Sequence, residues 1–322
     1  MPPVPTATPE PLRASSPAPR GWRYWAPRWV PVVFVVLGCV YVGQSVNLHD
    51  LGASLLKVKI WPLAAAVIFS ALGAIAHAAY WSVLLTPVAP LSLRTMSVYT
   101  FASYAANAFL PMRAGEALRV WLVNRRHGVP VAFAGAVIAI EKLFDVTSLL
   151  LLVTPLPWLI PDLPPSVANA LRILPCIVVA AAVAIFVASR HALRWKFLSG
   201  FAVVRRPGIV AGGFACILLA WLFDVCAILA VLFAVHLTPS LDKALVVILS
   251  VNAAVAIPAT PGQVGAHELG STFALHLVGV PETLAIPFAL FYHATQLIPI
   301  LLIGLSTARV LAKEKETAPP PP

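Results

Sequence analysis

Between Trp29 and Ala308 the chain is a series of apolar runs, at about 29–46, 61–85, 131–158, 173–188, 209–235 and 283–308, parted by short basic or proline-rich stretches. Such runs suit the roughly 20 residues that an α-helix needs to cross a bilayer. Composition agrees, with 60% hydrophobic residues, 11% charged residues and a mean hydropathy of +0.90. These values exclude a soluble globular domain, whose charged fraction is near 25%. The fold class is an all-α polytopic membrane protein, predicted to hold six full spans and two re-entrant broken helices. One membrane domain covers 29–309, between a disordered arm at 1–28 and a disordered tail at 310–322.

The two re-entrant segments are apolar runs that stop early, at 96–110 and 244–257. Each falls short of a span, and Pro111 and Pro258 end them, since proline lacks an N–H and clashes with the preceding turn. After the first comes the polar stretch Asn107-Ala-Phe-Leu-Pro-Met-Arg-Ala-Gly-Glu116, continued to Arg119. If these residues are helical, Arg113, Glu116 and Arg119 share one face and could hold an anionic head group. The other reading is a cytoplasmic loop whose arginines obey membrane orientation. After the second comes Thr260-Pro-Gly-Gln-Val-Gly-Ala-His-Glu268, which is either re-entrant or part of two crossings.

Lysine and arginine fix the predicted orientation, because short cytoplasmic loops collect them. With both termini inside, the inner face receives the arginines of the arm, Arg94, Arg113, Arg119, Arg125, Arg126, the basic stretch Arg190 to Arg206, and Arg309, Lys313 and Lys315. The outer face receives only Lys57, Lys59, Arg172 and Lys243. Making 96–110 a full crossing would destroy that asymmetry. The net charge of +10 is explained by membrane surface and topology, so nucleic acid is not an expected partner. The expected location is the cell's inner membrane.

Several chemistries lack their residues. Cys39, Cys176, Cys216 and Cys226 are scattered in apolar runs with no paired spacing. His267 and His276 flank Glu268 without zinc-protease spacing, and His77 and His293 read as packing residues within spans. No hydrolase elbow, nucleotide loop or dinucleotide fingerprint occurs, which excludes an ATP-driven pump within this chain. No metal and no cofactor is expected.

Charges inside the spans point to a polar interior. Glu141, Lys142 and Asp145 sit near the middle of the third span and Asp224 lies in the fifth. Each would cost roughly 2.5–3.5 kcal/mol facing lipid, so they face inward and pair, Lys142 with Asp145 at i,i+3. One acid is left over, and Arg113 is the natural partner of Asp224. The cluster reads either as a head-group cavity or as an ion network that fixes the fold.

The chain also repeats itself. Asn107, Pro111 and Gly115-Glu116 are echoed by Asn252, Pro258, Gly262 and Glu268, and Gly128-Val-Pro130 recurs as Gly279-Val-Pro281. The halves, about 61–159 and 209–308, are oppositely oriented under the predicted topology. Inverted repeats with paired discontinuous helices mark transporter folds.

Three ordered motifs resemble one family: Asn107-x-x-x-Pro111-x-Arg-Ala-Gly-Glu116-x-x-Arg119, Glu141-Lys-x-x-Asp145, and Pro258-x-x-Pro261-Gly-x-x-Gly265-x-x-Glu268. They resemble the lysylphosphatidylglycerol synthase transmembrane-region family over about Trp61 to Arg309. This is the flippase-like membrane half of the multiple peptide resistance factor, also found as stand-alone proteins. The resemblance implies a phospholipid or polyprenyl-type lipid translocase with both elbows at the head-group site, and allows a homodimer. Lys142 departs from the family's usual arginine. The short sequence after the last span leaves no room for the soluble aminoacyltransferase domain, so lysyl transfer is not expected.

The candidate substrate-binding residues are therefore Asn107, Pro111, Arg113, Gly115, Glu116 and Arg119 on the first elbow, and Glu141, Lys142, Asp145 and Asp224 in spans. Asn252, Pro258, Thr260, Pro261, Gly262, Gly265 and Glu268 form the second elbow. The expected function is translocation of an anionic phospholipid or polyprenyl-type lipid. The alternative is an intramembrane lipid-modifying enzyme, or an accessory subunit presenting lipid to a partner enzyme.

Overall fold

The structure is a computed structural model that describes residues 57–110, 114–161, 165–192, 205–256 and 261–316. These residues form α1 (Ile60–Leu85), α2 (Leu93–Phe109), α3 (Ala114–His127), α4 (Val131–Val153), a short α5 (Leu156–Leu159), α6 (Pro165–Ala192), α7 (Pro207–Ala234), α8 (Leu241–Val255), a 3-10 turn (Pro261–Gln263), α9 (Ala266–Leu277) and α10 (Glu282–Glu316). No strand occurs among the described residues. Among the described residues, three helices are long and apolar enough to cross a membrane: α1, α7 and the Glu282–Thr307 part of α10.

Local chemistry sets the helix ends. Ser92 caps α2, its hydroxyl accepting from the Thr95 N–H at 3.2 Å. Helices α3 and α9 stop at Gly128 and Gly279, with φ of 67° and 75°. That left-handed conformation is cheap only for glycine and turns the chain into the Gly-Val-Pro segments. Proline then opens the next helix, where its missing N–H has no partner to lose.

Helices α1 and α7 form the central pair. A Cβ on Gly73 would lie 3.6 Å from the Ala220 carbonyl, and one on Gly213 would press on Leu84 and Tyr80. Small residues let the backbones approach, which is how helices pack where no water drives them together. Around this pair, α2 lies on α3 and α8 on α9; α10 packs on α1, α2 and α9, and α4 packs on α7, α8 and α3. Two apolar cores result. One is built mainly from α1 to α4, including Trp81, Met96, Val123 and Val137. The other comes mainly from α7 to α10, including Ile228, Val247, Leu275 and Phe288.

Several boundaries differ from the sequence reading. The third apolar run, read as one span over 131–158, ends its helix at Val153, because Pro155 and Pro157 restart it as the short α5. Helix α6 begins at Pro165, ahead of the run at 173–188, and carries Pro175 inside it. Helix α10 continues to Glu316, so 310–316 is helical and not part of a disordered tail. The run at 29–46 and the arm at 1–28 lie outside the described residues.

Candidate functional site

The first elbow is built by close approach. Asn107 on α2 accepts the Gly115 N–H through Oδ1 at 2.7 Å, and the Ser103 hydroxyl donates to the Gly115 carbonyl at 2.7 Å. A Cβ on Gly115 would overlap the Ser103 carbonyl oxygen, so only glycine lets α3 lie this close to α2. That packing drives Arg119 into the protein, where it is 1% exposed. Its guanidinium sits 4.3 Å over the Trp81 ring and donates to Glu141 at 3.1 Å.

Glu141 is equally buried and collects three partners: Arg119, the Trp81 indole N–H at 2.7 Å, and His77 Nδ1 at 3.4 Å. Lys142, one residue on, leaves this cluster and bridges Glu116 at 3.3 Å and Asp145 at 3.5 Å. The i,i+3 pairing of Lys142 with Asp145 is as expected. At the far end of α3, exposed Arg125 and Arg126 form a basic rim. His127 beside them is held below the usual histidine value, first by partial burial and then by Arg126.

The second elbow is tighter. Gly262, Gln263 and Gly265 all have positive φ, at 62°, 63° and 87°. Glu268, in the first turn of α9, accepts the Gly265 N–H through Oε2 at 2.7 Å. Its Oε1 lies 2.6 Å from Nδ1 of His293 on α10, while Nε2 of the same ring lies 2.9 Å from the Gly262 carbonyl oxygen. The His267 ring stacks on His293 with centroids 4.4 Å apart. Asn252 donates to its own helix at Ile248, not to the elbow.

The elbows touch. A Cβ on Gly262 would lie 3.3 Å from the Ala108 carbonyl oxygen, one residue beyond Asn107. Beside this contact is a cavity of about 220 Å³ lined by α1, α2, α7, α8, α9 and α10, with Asp224, His77, His267 and Gln296 among its lining. Asp224 accepts the Tyr292 hydroxyl at 2.9 Å and the Gln296 amide at 3.1 Å. Neither ring nitrogen of His267 has a hydrogen-bond partner among the described residues.

The family model for the lysylphosphatidylglycerol synthase TM region matches residues 28–304. The chain belongs to that family. No curated protein matches it. As a lysylphosphatidylglycerol synthase TM-region protein it is embedded in the membrane, crosses it more than once, and has a function tied to membrane lipid. The match begins at residue 28, well ahead of Trp61, where the motif resemblance starts.

Within this family member, the structure gathers Glu116, Arg119, Glu141, Lys142 and Asp145 around one elbow and Gly262, Gly265 and Glu268 around the other. Asp224 stands apart on the cavity wall, with Tyr292 and Gln296 as partners. Pro111, Arg113, Pro258 and Thr260, and with them the expected Arg113–Asp224 pairing, lie outside the described residues. Pro261 opens the 3-10 turn. His77 and His293, read as packing residues, each sit against a carboxylate: Glu141 at 3.4 Å and Glu268 at 2.6 Å. A signal was present. Lys142 lies 12 residues after Pro130 and His293 lies 12 residues after Pro281, so the repeated Gly-Val-Pro marks both partners of the elbow glutamates. No group of side chains fit to hold a metal occurs among the described residues.

Proposed function

We propose that this chain is a lipid translocase, which moves the head group of an anionic phospholipid or polyprenyl-type lipid between leaflets of the cell's inner membrane. It performs no covalent chemistry on that lipid. The observation that carries the reading is the contact of the two elbows, Gly262 on Ala108, beside a cavity onto which Asp224, His77, His267 and Gln296 face.

The packing supports an inverted repeat. Matching α1 with α7, α2 with α8, α3 with α9 and α4 with α10, each neighbour relation recurs: α1 with α10 as α7 with α4, and α2 with α10 as α8 with α4. The elbow glutamates match as well, each the third residue of its helix and each held by the side chain 12 residues beyond a Gly-Val-Pro proline. In transporters, such paired breaks place a binding site near mid-membrane that two halves expose in turn. The basic rim at Arg125 and Arg126 favours an anionic head group at the cytoplasmic face, with both termini on that side.

Arg119 has a positioning role here, since Glu141 neutralises it and Trp81 covers it. The cavity itself offers the carboxylate of Asp224 and neutral donors that suit hydroxyl and phosphate-ester groups. The test is reconstitution into vesicles with short-chain fluorescent phosphatidylglycerol and a membrane-impermeant quencher. Wild-type protein should let quenching pass beyond the outer-leaflet half, and Asp224→Asn should slow that phase at least tenfold. Quenching that stops at one half, with protein present and monodisperse, would remove the translocase reading.

A further inference from the structure

The hydrogen-bond inventory at His293 has a consequence for protons. Nδ1 faces a carboxylate oxygen of Glu268 and Nε2 faces the Gly262 carbonyl oxygen, at 2.6 Å and 2.9 Å. Both oxygens accept, so each contact needs a hydrogen, and a neutral imidazole supplies only one. The pair therefore holds two hydrogens, as imidazolium with carboxylate or as imidazole with carboxylic acid. Either way its net charge is zero.

Loss of one hydrogen leaves the pair with a single negative charge where His293 is 5% exposed. An uncompensated charge there is costly unless water or a cation reaches it. The contact to Glu268 is the shorter and charge-assisted, so it keeps the remaining hydrogen. The Nε2 contact to Gly262 then opposes two lone pairs and breaks. Gly262 is the residue that rests on Ala108, so the release falls on the contact between the elbows.

The surroundings offer no cationic substitute for that hydrogen. Helix α9 brings Glu268 and the stacked ring of His267; α7 brings Asp224, bonded to Tyr292 and Gln296 on either side of His293; α1 brings His77 and α2 brings Tyr104 across the cavity. No lysine or arginine lines that cavity among the described residues. His267 lines it and stacks on His293. In the other half, the matching position is Lys142, which bridges Glu116 at 3.3 Å. One elbow glutamate is thus held by a lysine and the other by a histidine.

We propose that Glu268 and His293 form a proton-binding site that couples lipid movement to proton movement across the membrane. This rests on the translocase reading. The test uses full-length protein in vesicles containing short-chain fluorescent phosphatidylglycerol and an entrapped pH dye, with the membrane potential clamped by valinomycin and potassium. An imposed gradient of one pH unit should shift the steady-state leaflet ratio of the probe up to about tenfold, the equivalent of one proton per lipid. The dye should report proton movement when the probe is added to one side.

His293→Lys gives the second clamp the lysine of the first, and Glu268→Gln removes its acceptor charge. In each, whatever the rate that remains, the ratio of movement with a gradient to movement without should fall to one. Lipid movement in wild type that ignores the gradient and leaves the dye silent would overturn the coupling and spare the translocase. A wild-type gradient response that persists in both variants would overturn the assignment to this pair. Absence of lipid movement under every gradient would overturn both readings.

Discussion

Glu141 and Lys142 are neighbours in sequence with opposite energetic standing. Glu141 and Arg119 are both about 1% exposed, and the pair is completed by Trp81 and His77. Removing one partner of a buried pair leaves the other charged without compensation, so Glu141→Ala should destabilise the protein by about 3–5 kcal/mol. Lys142 is 40% exposed and is shared between Glu116 and Asp145. Lys142→Met should therefore cost less than Glu141→Ala. Reversible unfolding in mixed micelles, compared across the two variants, checks this; equal losses would contradict the ranking. The sequence shows that these acids lie in a span and must face inward. It does not show which one takes the arginine, because that depends on how α3 lies against α4.

At the scale of the element, the elbows depend on glycines that act for different reasons. Gly115 is needed for space, since a Cβ would meet the backbone of Ser103, which cannot swing aside. Gly213 sits against the end of the Leu84 side chain, which can turn. Overpacking costs roughly 1–3 kcal/mol, and it should reach the upper end for Gly115→Ala and the lower end for Gly213→Ala. Gly128→Ala meets open space but must hold φ of +67°, for a cost of roughly 1–2 kcal/mol. Thermal aggregation midpoints of the three purified variants should rank in that sense, with Gly115→Ala lowest. The helices were largely legible from apolar runs and prolines: α1, α7 and α8 begin and end within about three residues of the expected limits. The misses at α4 and α6 come where proline inside or beside a run can kink, start or merely tolerate a helix, and only packing decides which; α10 starts as expected and runs on past 308 to Glu316.

For the whole molecule, the order of helix, short helix, polar elbow, Gly-Val-Pro and helix was readable in each half, as was the family. Less readable was that the second elbow's partner is a histidine from the last helix, and that Asp224 meets Tyr292 and Gln296. Contacts separated by 68 and 72 residues leave no local periodicity. The central claim is that the cavity between the halves opens to each face in turn, as a one-sided enzyme pocket would not. Ser70 lines that cavity on α1 and differs from cysteine by one atom. With the four native cysteines replaced, Ser70→Cys should react with a membrane-impermeant maleimide added to either side of oriented vesicles, and phosphatidylglycerol should slow both reactions. Labelling from one side alone, under all lipid conditions, would contradict the account.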